Sequence, residues 1–597
     1  MGEKLKNCVR PLSALICAYG AAAFLTVCVL YTRCFDPAAP KQRIHFAKLL
    51  YGGDLGAWLV FGCFFALALL LFARYFREKR RFRLSSLLLA LCFALIWLVG
   101  LCRTVSGAVF FLPTRLPTEP LQLAVFTVFF YAAVELLNAR LDASRVPAPA
   151  AAEREGRRFL LIAALLLLAW LPHFAANFPG SLCVDARGQL AQALGLSAWN
   201  SDNPVLDTLV FGLLFKAGRA LSGRDSGGVA LIVAVQYLLM ALSFSYVCLT
   251  ARRLTGSARL ETAGALFFAL LPMFGGAGQV VLKDTLHLPF VLMLLCTWLD
   301  FCAEPGSRGR ALRFGALLLF SALTRKAAIG YSLAAGAALV ILFWRRRYPL
   351  RALLASVLSA AALYFALELA VIPACGIGPE LKGEFYALPF RQIAYTARAQ
   401  DAGIGEDEKA VIDAVLDYEA VKESYDPDSA DSIKWLLHGS GEDMRAFRRL
   451  YGSWLRRYPA DMLRAAVSGF WKYVYPFSPG YMPYRAYMAD CTELGLRLEY
   501  FFPALHRSML DYAAAWADSP LLTLFVGPGL YACLLLFAFF RVLRARRGDL
   551  LLFLLPLMVL LAGLVFTPVN GETRYAYPII AAAPLLLALL RLPPCGR

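Results

Sequence analysis

The sequence predicts an all-α polytopic membrane protein with about 11–13 spans, a re-entrant hairpin and a mainly helical outer domain. Of its 597 residues, 60% are hydrophobic and only 17% are charged, with a mean hydropathy of +0.60. Ordinary soluble domains are roughly 45–50% apolar and 25% charged. Apolar runs of about 17 residues or more recur along the chain, and each is long enough to cross a hydrocarbon core of about 30 Å as a helix. We therefore expect a multi-pass protein of the cell membrane.

The N-terminal membrane block covers residues 1–150 and is predicted to contain about four spans. Its apolar runs lie at residues 12–31, 55–73, 84–101 and 121–137. The first run is too long for the core of a signal peptide and no small-residue cleavage pattern follows it, so we predict a retained span. Blocks of Lys and Arg between the runs predict that both termini are cytoplasmic.

The central block, residues 151–371, begins with a predicted span at residues 159–176 that leads to the outer side of the membrane. The outer loop at residues 177–203 is too long for a simple connection, which favours a functional role. In residues 204–221, charged residues recur among apolar ones at helical spacing, and this pattern is typical of a helix lying in the membrane interface.

Arg325 and Lys326 interrupt the second half of this block, between predicted helices at residues 314–323 and 327–344. The first of these helices would be only about 15 Å long and would reach the middle of the bilayer. A cation there costs about 2.5–3.5 kcal/mol, so the two must face a polar cavity, water or an anion. We predict a re-entrant hairpin with a cationic tip.

The last part of the chain is predicted to form a polar outer domain followed by three spans. Residues 372–518 have no good span and show short helical patterns, notably at 407–423 and 444–475. Residues 519–597 carry the final spans, with a short outer turn at residues 570–577.

Charge and cysteine content narrow the functional classes. The net charge of +19 comes from short Lys/Arg blocks between apolar runs, so it reports topology and not nucleic-acid binding. Most of the 15 cysteines lie inside apolar runs, where cysteine behaves as a small hydrophobe, and no CxxC or metal-ligand spacing is present. Four cysteines fall in predicted outer segments: Cys34, Cys183, Cys375 and Cys491. They are the candidates for a disulfide, and the sequence does not predict which of them would pair.

The outer loop carries a recognisable motif. Residues 178–195 read FPGSLCVDARGQLAQALG, and Asp202-Asn203-Pro204-Val-Leu-Asp207-Thr208 follows. Together they resemble the first outer loop of the GT-C superfamily of membrane glycosyltransferases. The resemblance is to a bacterial branch, similar in pattern to protein O-mannosyltransferases and aminoarabinose transferases. Later segments agree in order: VLKDT at residues 281–285, LTRK at 323–326 and ETRYAYP at 572–578. Asn203 stands where that pattern has histidine, which puts an acid–base or ligand role of this position in doubt.

The resemblance implies a glycosyltransferase that inverts the anomeric carbon. It would transfer a sugar from a polyprenyl-phosphate donor to a glycan, lipid or protein acceptor of the cell envelope, at the outer face of the membrane. It makes Asp185 the catalytic base and leaves the involvement of a divalent metal unknown, with no metal ligands assigned. The donor phosphate would be bound by Arg325, Lys326, Arg574 and Lys283. The remaining substrate-binding residues would be Gln189, Asn203 and Tyr575.

Simpler structural roles compete with these assignments. Asp185 has the residue type and position of a cap for a helix that starts near Ala186. Lys283 and Arg574 have the position of cations that snorkel to lipid headgroups. Tyr575 fits an aromatic belt at the membrane interface.

Two neighbours of Lys283 have ordinary explanations as well. Asp284 would form a local ion pair with Lys283, and His287 would be a core histidine with satisfied hydrogen bonds.

Two other functional classes also remain open for the whole protein. One is a multi-span transporter, because intramembrane charges also mark transport pathways. The other is a noncatalytic assembly protein of the cell envelope. Only catalysis requires Asp185.

Overall fold

The computed structural model of the chain describes Tyr19 and residues 55–77, 82–106, 118–143, 155–379, 382–439, 441–485, 491, 494, 500–519 and 521–592. Within these ranges nine helices are long and apolar enough to cross a membrane, or up to ten if one bent pair counts as a single span. The prediction of an all-α polytopic membrane protein is confirmed. The predicted span at residues 12–31 lies outside the described residues.

The chain divides into two compact units. Unit 1 comprises Met1–Arg145, Phe539–Arg546 and Pro593–Arg597, and unit 2 comprises Val146–Ala538 and Arg547–Leu592. Apolar side chains form the interior of unit 1, with Phe72, Leu98 and Phe126 almost fully buried. The described helices of unit 1 before residue 145 are α1 (Leu55–Arg77), α2 (Leu84–Ser106) and α3 (Thr118–Ala143).

The first part of unit 2 consists of helices joined by short connections, with one pair of two-residue strands. In chain order the elements are α4 (Glu155–Ala176), β1 (Ser181–Leu182), α5 (Val184–Ala193), α6 (Val205–Ser222), α7 (Asp225–Thr255), α8 (Ala258–Leu270), α9 (Pro272–Gln279), β2 (Val280–Val281), α10 (Lys283–Ala303), α11 (Arg308–Thr324), α12 (Ala328–Arg346) and α13 (Arg351–Ala366). Helix α13 continues through a π-helical turn, so that the candidate span reaches Ala374.

One candidate span is broken by a bend. Helices α8 and α9 meet at an angle of 56°. The bend has a local cause, since Pro272 opens α9 and its ring disfavours helical geometry in the preceding residue, Leu271, which is extended. The sequence pattern did not indicate this break.

The helix before Arg325 is longer than predicted, and the helix after it, α12, is itself long and apolar enough to cross a membrane. Helix α11 begins at Arg308 and not at residue 314, because Ser307 caps it by accepting a hydrogen bond from the backbone N–H of Arg310. Helix α11 has 17 residues and spans about 25 Å, which is more than half the thickness of a hydrocarbon core of about 30 Å. Arginine is a good helix former, and the helix therefore continues through basic residues where the apolar pattern had stopped.

A helical domain, here called the polar domain (residues 382–485), follows α13. It has its own core, in which Phe390, Ile412, Phe447 and Trp454 are buried. Its helices are α14 (Ala387–Gln400), α15 (Glu406–Asp413), α16 (Tyr418–Glu423), α17 (Asp431–Lys434), α18 (Gly441–Arg457) and α19 (Pro459–Ser468). Short helices occupy both ranges in which they were expected.

The remaining helices complete unit 2 and contribute one segment to unit 1. They are α20 (Pro503–Asp518), α21 (Thr523–Val526), α22 (Gly529–Arg544), α23 (Gly548–Gly563), α24 (Tyr577–Ala581) and α25 (Ala583–Arg591). The first of the three predicted C-terminal spans is divided at Gly527 into α21 and α22, and α22 has 16 residues. The candidate span Thr573–Arg591 begins with a 3₁₀ turn, Thr573–Ala576, followed by α24 and α25.

Candidate functional site

Two short parallel strands bring the outer-loop motif to the VLKDT segment. Ser181 pairs with Val280 and Leu182 with Val281. Gln236 of α7 supports this ladder, because its amide nitrogen donates to the carbonyl of Val280. Since the strands run in the same direction, the residues that follow them emerge on the same side. Asp185 and Lys283 are therefore neighbours although 98 residues separate them.

Asp185 lies in the first turn of α5 but does not cap it. The cap is Cys183, whose sulfur accepts a hydrogen bond from the backbone N–H of Ala186 at 3.4 Å. The capping role considered for Asp185 is therefore wrong. The N-terminus of a helix favours a negative charge, so this position suits a carboxylate without explaining its contacts.

Two cations from distant segments contact Asp185. Its Oδ2 atom is 3.4 Å from Nζ of Lys283 and 3.2 Å from Nη1 of Arg574. Lys283 also donates a hydrogen bond to the side-chain oxygen of Asn203. Both cations are thus engaged with protein groups, which differs from snorkelling to headgroups.

The pKa of Asp185 reflects these neighbours. Burial raises the pKa of this carboxyl, but Lys283 and Arg574 outweigh burial and lower it to about 2. Asp185 is therefore ionised at neutral pH and is a weak base while both cations contact it.

Asp284 connects this group of charges to Arg325. It pairs with Nη1 of Arg325, and its Oδ2 atom is 3.7 Å from Nη1 of Arg574. The expected local pair between Asp284 and Lys283 is therefore replaced by partners from two other segments. Only 1% of the Asp284 side chain is exposed, and this degree of burial requires such compensation.

Tyr575 contacts both arginines. The guanidinium carbon of Arg325 lies 4.9 Å from the centre of the Tyr575 ring, and that of Arg574 lies 5.0 Å from it. These distances are typical of cation–π contacts. Tyr575 is half-buried among charges, which is not the setting of an aromatic belt facing lipid. Lys326, next to the buried Arg325, is partly exposed at the turn between α11 and α12.

Glu572 and Arg485 form a further buried pair that supports Arg574. Nη2 of Arg485 donates to Oε2 of Glu572, and the two side chains are 5% and 2% exposed. The other carboxylate oxygen of Glu572 accepts a hydrogen bond from the backbone N–H of Arg574 at 3.4 Å. We call Asp185, Lys283, Asp284, Arg325, Arg485, Glu572, Arg574 and Tyr575 the charge cluster.

Two buried polar residues lie on the α5–α6 side of the site. The amide nitrogen of Gln189 donates to Thr208, and its oxygen has no hydrogen-bond partner among the described residues. Asp207 is fully buried, and neither of its carboxylate oxygens has such a partner within the same ranges. Burial raises the pKa of Asp207 well above its usual value, although the positive charge of Lys283 opposes the shift.

The structure also shows the surroundings of His287 and of the cysteines in the predicted outer segments. His287 is buried between Thr324 and Tyr331, at 3.1 Å and 2.6 Å, as expected for a satisfied core histidine. Cys183 is a buried free thiol and Cys375 is an exposed one, whereas Cys491 is buried and Cys34 lies outside the described residues. In the described part of the chain, no group of three or more His, Cys, Asp or Glu residues could hold a metal ion.

A family model matches residues 196–592. The chain belongs to the family of unknown function DUF6020. No curated protein and no solved structure matches it. The DUF6020 match includes Lys283, Arg325 and Arg574, whereas Asp185 and Gln189 lie shortly before its first residue.

Four residues of the site were not assigned a functional role from the sequence: Asp207, Asp284, Arg485 and Glu572. Asp284 adjoins Lys283 and Glu572 lies two residues before Arg574, and this proximity to predicted site residues was the available signal. Asp207 had been taken for part of a polar helix face, but it is buried. Nothing in the sequence around Arg485 distinguishes it from the other arginines of its segment.

Proposed function

We propose that this protein is a membrane glycosyltransferase that moves a sugar from a polyprenyl-phosphate donor to an acceptor on the outer face of the membrane. The observation that carries the proposal is the contact of Asp185 with Lys283 and Arg574, at 3.4 Å and 3.2 Å. It joins a carboxylate of the outer-loop motif to two cations of later motifs. The resemblance had assigned these residues to one reaction from the sequence alone.

The charge cluster has the donors that a lipid phosphate needs. Lys283, Arg325 and Arg574 come from three segments and lie around Asp185 and Asp284. The N-termini of α5 and α10 also point here, and helix N-termini favour bound phosphate. In the reaction these groups would stabilise the negative charge that develops on the departing polyprenyl phosphate.

Asp185 is proposed to accept the proton of the acceptor hydroxyl. The hydroxyl oxygen forms a bond to the anomeric carbon while the bond between that carbon and the phosphate oxygen breaks. The proton passes to Asp185 and the electron pair leaves with the polyprenyl phosphate. A donor phosphate would attract Lys283 and Arg574 away from Asp185, which would raise the low pKa of this carboxyl and make it a better base.

The test uses purified protein in lipid vesicles and a panel of polyprenyl-phosphate sugars. The Asp185→Asn variant should lower sugar transfer about 100-fold or more, because it removes the general base. It should bind polyprenyl monophosphate at least as well as the unaltered protein, since two cations are released. The Arg574→Gln variant should instead weaken binding of polyprenyl monophosphate.

Matched controls come from the exposed pair between Arg219 and Asp225, at 3.3 Å. Asp225→Asn and Arg219→Gln make the same chemical changes outside the charge cluster and should leave transfer and binding unchanged. Undiminished transfer by Asp185→Asn would overturn the assignment of the base. Failure of every donor in the panel, together with no binding of polyprenyl monophosphate, would overturn the proposed function.

Transport is the second candidate function, and the bend between α8 and α9 favours it. Broken helices inside membrane proteins commonly line binding sites for transported ions and substrates. The same vesicles distinguish the two functions. A transporter would move polyprenyl-linked sugar between leaflets without breaking its phosphate bond, whereas a transferase would release polyprenyl phosphate.

A further inference from the structure

The loop that leads to Arg574, residues 567–573, is bound along its whole length by the polar domain or by the segment that ends it. Loops between spans are usually held at their ends, and their backbone groups commonly face water. Here the hydrogen bonds are distributed over three separate anchors, and the last one reaches the residue before Arg574.

The first anchor is a short antiparallel contact with residues 428–430. Ser429 and Val569 form an isolated bridge, the N–H of Ala430 donates to the carbonyl of Pro568 at 2.8 Å, and the N–H of Asn570 donates to the carbonyl of Asp428 at 2.8 Å. The Asn570 side chain adds to this contact. Its amide nitrogen donates to Oδ1 of Asp428 at 2.8 Å and to the carbonyl of Ser468 at 2.9 Å.

The second anchor is a buried arginine of α14. Arg391 is fully buried, and its Nη2 atom donates to the carbonyls of Pro568 and Thr567 at 2.6 and 3.4 Å. Its other nitrogens, Nε and Nη1, have no hydrogen-bond partner among the described residues. Burying a guanidinium that is not fully hydrogen-bonded opposes stability, so this arrangement indicates a role other than stability alone. Tyr473 adds a hydrogen bond from its hydroxyl to the carbonyl of Val569 at 2.9 Å.

The third anchor adjoins the charge cluster. The N–H of Tyr481 donates to the carbonyl of Gly571 at 2.6 Å, and the N–H of Thr573 donates to the carbonyl of Tyr481 at 3.2 Å. Arg485 then binds Glu572, whose carboxylate accepts the N–H of Arg574. The hydrogen-bonded path therefore ends on the backbone of the residue that contacts Asp185.

We propose that Asn570, Arg391 and Tyr473 are positioning residues, through which the polar domain sets the location of Arg574 against Asp185. This inference rests on the proposed function, in which Arg574 binds the donor phosphate. Their side-chain hydrogen bonds go to the loop or to the polar domain and not to the charge cluster, so their effect on Arg574 passes through the loop. A displacement of about 1 Å at a reacting group is enough to lower a rate about 100-fold.

The experiment is a double-mutant cycle measured with polyprenyl monophosphate and with sugar transfer. Asn570→Ala removes the side-chain contacts with residues 428 and 468 and is expected to lower kcat/KM about tenfold or more. Tyr473→Phe removes one hydroxyl and serves as the milder variant if Asn570→Ala folds poorly. In an Arg574→Gln background, neither change should lower binding or transfer further, because the positioned group is gone.

The matched control is Gln400→Ala, which removes a 2.7 Å hydrogen bond to Asp461 within the polar domain and away from the loop. It should leave kcat/KM unchanged. If Asn570→Ala lowers kcat/KM equally in the presence and absence of Arg574, the positioning role is overturned and the residue is merely structural. If Arg574→Gln alone changes neither binding nor transfer, the proposed function is what fails.

Discussion

Two buried carboxylates, Glu135 in unit 1 and Asp284 in unit 2, each pair with an arginine far away along the chain. Glu135 Oε1 accepts hydrogen bonds from Ser86 and from Arg544, at 2.5 Å and 2.7 Å. Asp284 pairs with Arg325, but its second oxygen has no hydrogen-bond partner in the described ranges and lies 3.7 Å from Arg574.

Residues around Asp284 also carry buried polar atoms that have no hydrogen-bond partner among the described residues. Buried polar atoms in native proteins are nearly always hydrogen-bonded, so a group of exceptions in one place needs an explanation. Such atoms occur at several places in the described part of unit 2, and five of the residues that carry them lie in or beside the charge cluster: Asp207, Gln189, Asp284, Arg485 and Arg574. Glu135 has the contacts of a residue that joins helices. The charge cluster has spare donors and acceptors, as a ligand site requires.

The largest expected effect is on the stability of the two ion pairs, Glu135–Arg544 and Asp284–Arg325, and it is combined with a measurement of affinity that distinguishes them. Arg544→Leu and Arg325→Leu each leave a buried carboxylate without its arginine and should each lower stability by about 3–5 kcal/mol. Adding Glu135→Leu to the first variant, or Asp284→Leu to the second, should restore most of the thermal midpoint. Only the second double variant should lose affinity for polyprenyl monophosphate. Equal affinities in both double variants would make the Asp284–Arg325 pair structural.

Glycine at position 571 provides the second test. Gly571 has φ of +70°, and a Cβ atom there would lie 2.5 Å from the Cβ of Lys472. Gly223 has the same φ, but an added Cβ atom would meet nothing within 4 Å. Gly223→Ala should therefore cost about 1 kcal/mol from backbone strain alone. Gly571→Ala should cost more and should also lower donor affinity; a shift in thermal midpoint equal to that of Gly223→Ala would contradict the tight packing.

The raised pKa of Asp207 predicts that the stability of the folded protein depends on pH. Its pKa is raised by folding, so the folded state loses stability as pH rises above the pKa of the unfolded chain, about 3.9. Asp207→Asn removes this loss. The variant should match the unaltered protein near pH 4 and exceed its thermal midpoint by about 2–4 °C at pH 8, the shift produced by roughly 1 kcal/mol. A lower midpoint at pH 8 would mean that the carboxylate is ionised and paired.

The smallest expected effect concerns kcat/KM for the donor, which should stay constant with pH over the range given below. Because the pKa of Asp185 is about 2 in the ligand-free protein, kcat/KM for the donor should not fall between about pH 7.5 and pH 5 through protonation of this residue. The corresponding limb of kcat should lie at higher pH, because a bound phosphate shares Lys283 and Arg574. A kcat/KM profile that falls near pH 6 would point to a different base.

Much of the candidate site follows from the sequence because its residues adjoin short motifs. Asp185, Lys283, Asn203 and Arg574 were each selected from such motifs, and the structure brings them together. Their catalytic and phosphate-binding roles stay predictions. The apolar runs likewise predicted most of the membrane helices. They could not predict that α11 begins at Arg308, since a basic first turn carries no apolar signal.

The sequence could not predict which residues pair with the buried charges. Arg485 and Glu572 are 87 residues apart, and Asp284 and Arg325 are 41 residues apart. Such pairs depend on how helices pack, and local spacing does not encode packing. The same applies to Asp207, which has the position of a polar interface residue but lies in the interior.

The contact between Asp185 and Arg574 has a consequence for biosynthesis. The two residues are separated by 389 positions, and at about 5–20 residues per second a ribosome needs roughly 20–80 s to add the second after the first. During the later part of that interval both Asp185 and Asp284 have been synthesised, whereas Arg574 has not. The charge cluster therefore remains incompletely neutralised until Arg574 has been added, long after the segments that carry Asp185 and Asp284.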